Sequence, residues 1–304
     1  MQLDLRHIKC FIVVAEELHF RRAAERLSLA QPALSRTIRN LENDLGVVLF
    51  ERSNRFVHIT KAGQAFLESC ESILNAVDHA VENTRRVAEG NIGSIRIAYT
   101  DLAIVGPLPG MLRALNNEHP DIAFQFQNDV SIHQIRNLRD DLIDIGFVTG
   151  PISADGFEKL TIWNEKFACI VYDDHPLAQR NSIRLSELAD EDFVHGTKKE
   201  WEMFYSHFLP LCHRNGFTPR IIQEGTTSIG IMGLVAAGVG ITVLTESVCN
   251  SLPPGTNMIP ISDSGAPIQM VAVWKTEKMD ITKRRFVNAL KEKVSQLGTN
   301  DTQN

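Results

Sequence analysis

Residues 20–60 read FRRAAERLSLAQPALSRTIRNLENDLGVVLFERSNRFVHIT, and this stretch decides the fold of the amino-terminal part. Its pattern is two short helices about a tight turn, followed by a basic hairpin. Leu34, Ile38, Leu41 and Leu45 recur at helical spacing and give one apolar stripe. The opposite face carries Gln31, Pro32, Ser35, Arg36 and Arg39, short or cationic residues that cannot build a core. Pro32 lies in the first turn, where its missing N–H costs nothing, and Gly46 ends the helix as a C-cap. A helix that packs through one side and offers Gln, Ser and Arg on the other suits the DNA major groove. Arg matches guanine edges and Gln adenine edges, while Ser and the remaining Arg hold phosphates.

Working outward, residues 4–17 form a helix with Leu5, Ile8, Phe11, Ile12 and Ala15 inward. Ala23 and Ala24 in the next helix are small enough for close packing against the 31–45 helix. Val47–Glu51 and Arg55–Ile59 alternate like two strands around Ser53-Asn54, a wing that places Arg52 and Arg55 to reach phosphate or the minor groove. Thr60 then caps a proline-free helix over residues 61–89. Within it Phe66, Cys70, Ile73, Val77, Ala80, Thr84 and Val87 alternate spacings of four and three, flanked by Leu67, Leu74, Val81 and Ala88 at sevens. That seam predicts a coiled coil between two copies, against the plainer reading of a surface helix packed on its own domain.

The net charge of −6 seems at odds with a nucleic-acid partner until it is mapped. Residues 1–60 hold nine Lys and Arg against seven Asp and Glu, whereas residues 91–304 hold 19 against 25. The acidity therefore belongs to the carboxyl-terminal two-thirds. A length of 304 residues predicts two or three domains. There is no basic and apolar leader pattern, and no apolar run reaches the roughly 18 residues of a membrane span. The five cysteines are odd in number, far apart and without metal spacing, which fits a reducing cytoplasm.

After a hinge at Gly90–Gly93, strands alternate with helices, which predicts α/β architecture with a parallel sheet. The expected order is IRIAYT, a helix over 102–117, IAFQFQN, a helix over 131–141 and DIGFVTG. A second unit starts at FACIVY and runs through DFVHG, a helix over 198–214, RIIQEG and a helix over 227–237. PIQMVAVW and a helix over 281–297 close it, before a polar tail expected to be disordered. Crossovers between two sub-domains are placed near Thr161–Glu165 and Ser262–Pro267.

The paired Ala23-Ala24, Gln31–Ser35, Leu41-Glu42, Leu45-Gly46, Leu49-Phe50-Glu51-Arg52 and Thr60-Lys61-Ala62-Gly63 closely resemble the amino-terminal pattern of LysR-type transcriptional regulators. The match is specific over about residues 3–65. Further along it rests on strand order and on pieces such as Asp144–Phe147 and Gly238–Ile241. The resemblance implies a multidomain chain: an all-α winged helix-turn-helix head over 1–60, a dimerising linker helix over 61–89, and a two-lobed effector domain over 90–304. That α/β domain would resemble periplasmic binding proteins, with lobe I at about 91–161 and 268–304 and lobe II at about 162–267. Double-stranded DNA, a small-molecule effector, a homodimer or homotetramer and RNA polymerase are the implied partners. Carried over residue by residue, DNA contact falls to Gln31, Pro32, Ser35, Arg36 and Arg39, with Arg52 in the wing.

Ligands of open α/β sheets bind beyond the carboxyl ends of strands, near helix N-termini. Those positions are Thr100 and Asp101, Ser131, Thr149, then His195, Gly196 and Thr197, and finally Thr226 and Thr227. In the family, Ser or Thr at the first places often holds a carboxylate effector, which Thr100 and Ser131 suit. Asp101 departs from this: it either caps its helix or meets an amine or hydroxyl of the effector, which points to an amino-acid-like or sugar-like ligand. A competing reading is an α/β enzyme or solute-binding protein with an accessory helical domain. The chain has no Gly-rich phosphate loop, no Gly-x-Ser-x-Gly elbow and no metal-spaced His/Glu set. The expectation is therefore no catalytic residue, no metal and no cofactor.

Overall fold

A computed structural model describes residues 3–52, 56–88, 93–150, 152, 155–277 and 279–300. The chain falls into two compact units, residues 1–90 and 91–304. Among the described residues, no helix is long and apolar enough to cross a membrane.

In the first unit, Asp4 caps α1 (Leu5–Glu17) by accepting the His7 N–H, and Ile8, Phe11, Ile12 and Val14 are buried on one side. Helix α2 (Phe20–Arg26) buries Ala23 and Ala24, and the turn after it holds Ser28 at φ 55° before α3 (Gln31–Leu45) begins. Leu34, Ile38 and Leu41 are the buried stripe of α3. Gly46, at φ 69°, turns the chain out of α3 and donates its N–H to carbonyls of the last turn, a conformation that favours glycine. Strands β1 (Phe50–Arg52) and β2 (Val57–Ile59) pair antiparallel, with Phe50 opposite Ile59. The hairpin is shorter than the alternation suggested, because the Val47 N–H is spent on the Glu42 carbonyl at the end of α3. Phe50 reaches into the core, its ring 5.3 Å from Phe11.

Thr60 accepts the Gly63 N–H and so caps α4 (Lys61–Ala88), as the sequence predicted. The long heptad seam divides along its length. Phe66, Leu67, Cys70 and Leu74 pack into the core of their own unit. Ile73, between Cys70 and Leu74, and Val81, further along the helix, are exposed.

The second unit opens with β3 (Ser94–Tyr99), α5 (Asp101–Val105), α6 (Leu108–Glu118), β4 (Ala123–Asn128), α7 (Ser131–Arg139) and β5 (Ile145–Gly150). The single helix expected over 102–117 is broken at Gly106-Pro107, since Pro107 cannot continue α5. There follow β6 (Phe157–Glu165), β7 (Phe167–Tyr172), β8 (Asp192–Gly196), α8 (Glu202–Arg214), β9 (Arg220–Gly225) and α9 (Ser228–Ala236). Strands β10 (Thr242–Thr245), β11 (Thr256–Pro260) and β12 (Ile268–Lys275) precede α10 (Ile281–Asn300). Helix α10 continues beyond residue 297, into the part of the tail expected to lack structure.

The first lobe is a five-stranded sheet ordered β4-β3-β5-β12-β6. Strand β3 runs parallel to β4 and β5, but β12 lies antiparallel to both β5 and β6. In the second lobe β7 is flanked antiparallel by β10 and β11, and β8 pairs parallel with β9. The wholly parallel sheet of the sequence reading is thus corrected to mixed sheets. Strands that return from the other lobe enter in the reverse direction. Strand β6 stays in the first sheet as far as Glu165, paired with Ile268, so the first crossover lies at Lys166, at the carboxyl end of the expected Thr161–Glu165 segment.

Beneath the first sheet, Asp144 accepts the Arg96 backbone N–H at 2.9 Å and its guanidinium at 2.9 and 3.0 Å, and Lys283 Nζ lies 2.7 Å away. Burial by itself pushes the Asp144 carboxyl up. The hydrogen bonds and charges of Arg96 and Lys283 outweigh it and hold the group below its ordinary range.

Candidate nucleic-acid interface and effector cleft

The first candidate site is the face of α3 opposite its buried stripe. Gln31, Pro32, Arg36 and Arg39 are exposed and Ser35 is half-buried, with Gln31 Nε2 3.3 Å from Ser35 Oγ. Ala30 offers no side-chain cap, Pro32 has no N–H, and the Ala33 and Leu34 N–H groups both donate to the Ala30 carbonyl. Other arginines of this unit are committed to carboxylates: Arg21 to Glu25, Arg22 to Glu17, and Arg26 to Glu16 and Glu17. Arg36 and Arg39 have no carboxylate partner among the described residues. They present two open guanidiniums one helical turn apart, the arrangement that phosphates or guanine edges require.

The wing differs from its expectation. The Arg52 guanidinium is clasped by the Glu42 carboxylate and lies 4.8 Å over the Phe20 ring. Glu42 also accepts the N–H groups of Leu49 and Phe50, so one carboxylate joins the end of α3 to β1. Arg52 is therefore a strut of the head, with its charge largely answered inside the protein. Arg55 and the Ser53-Asn54 turn lie outside the described residues, as does the hinge at Gly90–Ile92.

The second candidate site is a cleft between the lobes of the second unit. Thr100, Asp101, Ser131, Thr149 and Thr226 all line it. Thr100 caps α5 by accepting the Ala103 N–H, which excludes one of the two readings of Asp101, that it caps this helix. Asp101 looks outward instead. Its Oδ1 accepts from Asn128 at 2.7 Å, and its Oδ2 accepts the Ser228 backbone N–H at 2.9 Å, across the cleft at the first turn of α9. The Thr149 N–H donates to Ser131 Oγ at 3.1 Å, which fixes the Ser131 hydroxyl at the amino end of α7.

His195 and Gly196 do not line the cavity. His195 is fully buried, its ring among Trp201, Phe204, Tyr205 and Phe208. Its Nδ1 accepts the Gly196 N–H at 2.8 Å, so Nε2 carries the proton and donates to the Val243 carbonyl at 3.2 Å. Burial drives its pKa down to about 4, and the imidazole is a neutral core group. Gly196 serves as a seat: a Cβ there would come within 2.2 Å of the Trp201 ring. Trp201 does line the cavity, together with Asn128, Asp129, Glu200 and Phe204. The strand-end rule picked none of these five. Asn128 is the last residue of β4, one strand-end signal passed over, whereas Glu200 and Trp201 sit in an irregular turn with no sequence signature.

Burial raises the thiol pKa of Cys10, Cys70, Cys169 and Cys212, keeping them protonated and inert. Among the described residues no His, Cys, Asp and Glu cluster could hold a metal ion.

Comparison with known proteins identifies both units. Residues 5–64 match the family model of the bacterial regulatory helix-turn-helix protein, lysR family, and residues 88–295 match the LysR substrate binding domain. The HTH-type transcriptional regulator AlsR of Bacillus subtilis is 35% identical over 81% of this chain and 81% of its own length. The uncharacterized HTH-type transcriptional regulator YnfL of Escherichia coli is 34% identical over 90% of this chain and 93% of its own. Among solved structures, CbnR, a LysR family transcriptional regulator, superposes with a TM-score of 0.75 at 26% identity, covering 95% of this chain and 99% of that one. Full-length CbnR complexed with its target DNA gives 0.71. The chain belongs to the LysR family of transcriptional regulators, a helix-turn-helix head joined to an effector-binding domain. The relatives named here are regulators, and the enzyme and transport readings are set aside.

Proposed function

We propose that this regulator grips a dyad-symmetric promoter site as a homodimer or homotetramer, through Gln31, Pro32, Ser35, Arg36 and Arg39 of each α3. The single observation that carries this is the exposed face of α3, where Arg36 and Arg39 stand without carboxylate partners among the described residues. Exposed Ile73 and Val81 on α4 support pairing of two copies through the linker helix. Arg55 in the wing adds a phosphate contact, and Arg52 contributes mainly by holding the wing in place. The complex acts in the cytoplasm and alters recruitment of RNA polymerase.

A small-molecule effector occupies the inter-lobe cavity and touches Thr100, Asp101, Ser131, Thr149 and Thr226. It shifts the protein between arrangements only by the difference in its affinity for them. Of the carboxylate and amino-acid-like ligands suggested by the strand ends, the lining favours one that carries an amine.

Footprinting of genomic DNA with the full chain tests the regulator reading. The expected result is paired protection with half-sites about one helical turn, or a multiple of it, apart, weakening steeply with salt. Unpaired, salt-insensitive protection contradicts it.

A further inference from the structure

The lining of the inter-lobe cavity is acidic. Asp101, Asp129 and Glu200 line it, and among the described residues no Lys, Arg or His does. Helix N-termini around such a cleft would ordinarily draw an anionic ligand, through free N–H groups and the helix dipole. At α5 and α9 those places are already taken by the protein's own groups, whereas α7 begins without a side-chain cap. Thr100 caps α5. Asp101 crosses from the first lobe to the α9 N-terminus, 2.9 Å from the Ser228 N and 3.5 Å from its hydroxyl. Asp129 lies just before α7, accepting from the Val130 N–H at 2.9 Å and from Asn137 at 3.0 Å, with His133 Nδ1 3.0 Å from its Oδ1. Glu200, half-buried, has no side-chain partner among the described residues.

We propose that the cleft selects a small organic cation, an amine or amidine, and that Asp101 is the residue that sets this selection. Its carboxylate stands where a ligand carboxylate would bind, so an anionic ligand meets a filled site and three like charges. A cation meets the same carboxylates favourably, and the lining also includes Trp201 and Phe204, ring types that attract a cation. The inference rests on the reading of this cavity as the effector site.

Benzoate, benzamide and benzamidinium share one ring and carry charges of −1, 0 and +1, and isothermal titration of each against the full chain tests the proposal. The expected ranking is benzamidinium first, at least tenfold tighter than benzoate. In Asp101→Asn, which keeps an acceptor for the Ser228 N–H and removes the charge, the gap should shrink by tenfold or more. Glu200→Gln should shrink it less, and it serves in place of Asp101→Asn should that variant not fold. Benzoate binding the wild type as tightly as benzamidinium overturns the proposal. So does a ranking unchanged in both variants, or no binding of any of the three at millimolar concentration. Thr100→Trp, which fills the cavity, separates the two levels. If the ladder persists in that variant, the ligands bind elsewhere and the cavity reading itself fails, while the DNA footprint stands on its own.

Discussion

The Arg52 guanidinium is held by the Glu42 carboxylate, ten residues earlier, and covers the Phe20 ring at 4.8 Å. The same carboxylate accepts the Leu49 and Phe50 N–H groups. Removing it leaves two backbone donors and a guanidinium without their acceptor. Glu42→Ala should therefore cost the head about 2 kcal/mol, read as a lower urea midpoint of its transition. Unchanged stability in that variant would show the strut to be idle.

Arg36 and Arg39 call for the opposite behaviour. Both are exposed, so Arg36→Ala and Arg39→Ala should leave the melting temperature unchanged. Each should weaken DNA binding and lower the slope of log affinity against log salt by about one if its contact is to phosphate. A loss confined to particular sequences would assign base reading instead. Fluorescence anisotropy over a salt series makes the distinction.

The seam of α4 predicts an assembly. Ile73 and Val81 are large, apolar and exposed, and lie on the side that the 3.5-residue repeat aligns. The double variant Ile73→Glu, Val81→Lys should halve the sedimenting mass of the smallest stable species. The head should stay folded, because its core draws on Phe66, Leu67, Cys70 and Leu74. An unaltered mass would place the interface elsewhere.

His195 gives the second unit a dependence on pH. With its folded pKa at about 4 against an ordinary 6.5, the unfolded chain takes up the proton first as pH falls. The stability is whole above about 6.5, declines below it and stops declining under about 4, for a total loss of about 3 kcal/mol. His207 is shifted in the same direction by burial. His195→Gln, though less stable at neutral pH, should flatten most of that decline, which urea midpoints measured between pH 7.5 and 4.5 would show. A decline of the same size in the variant would assign it to other groups.

How much of this was legible in the sequence depended on the range of the interaction. The α3 stripe, the Gly46 turn and the Thr60 cap are local, set by residues within one helical turn of each other, and all three stand where the sequence puts them. The strand ends Thr100, Asp101, Ser131, Thr149 and Thr226 were legible for a similar reason: a strand followed by a helix presents its first residues at one edge of the sheet. The same rule erred at His195 and Gly196. Their strand runs under a layer of aromatic rings from α8, which no local pattern announces.

The sequence by itself determined the family, the face of α3 that meets solvent, and the alternation of strands and helices, because periodicity and capping are short-range. Only the tertiary structure decided which charges remain available. Arg52 and Arg39 look alike in the sequence, yet one is answered by Glu42 and the other faces solvent. Asp101 reads as a helix cap until the fold brings Ser228, 127 residues later, to 2.9 Å from its carboxylate. A charge acts through what lies within a few ångströms of it, and that neighbourhood exists only after the chain has folded.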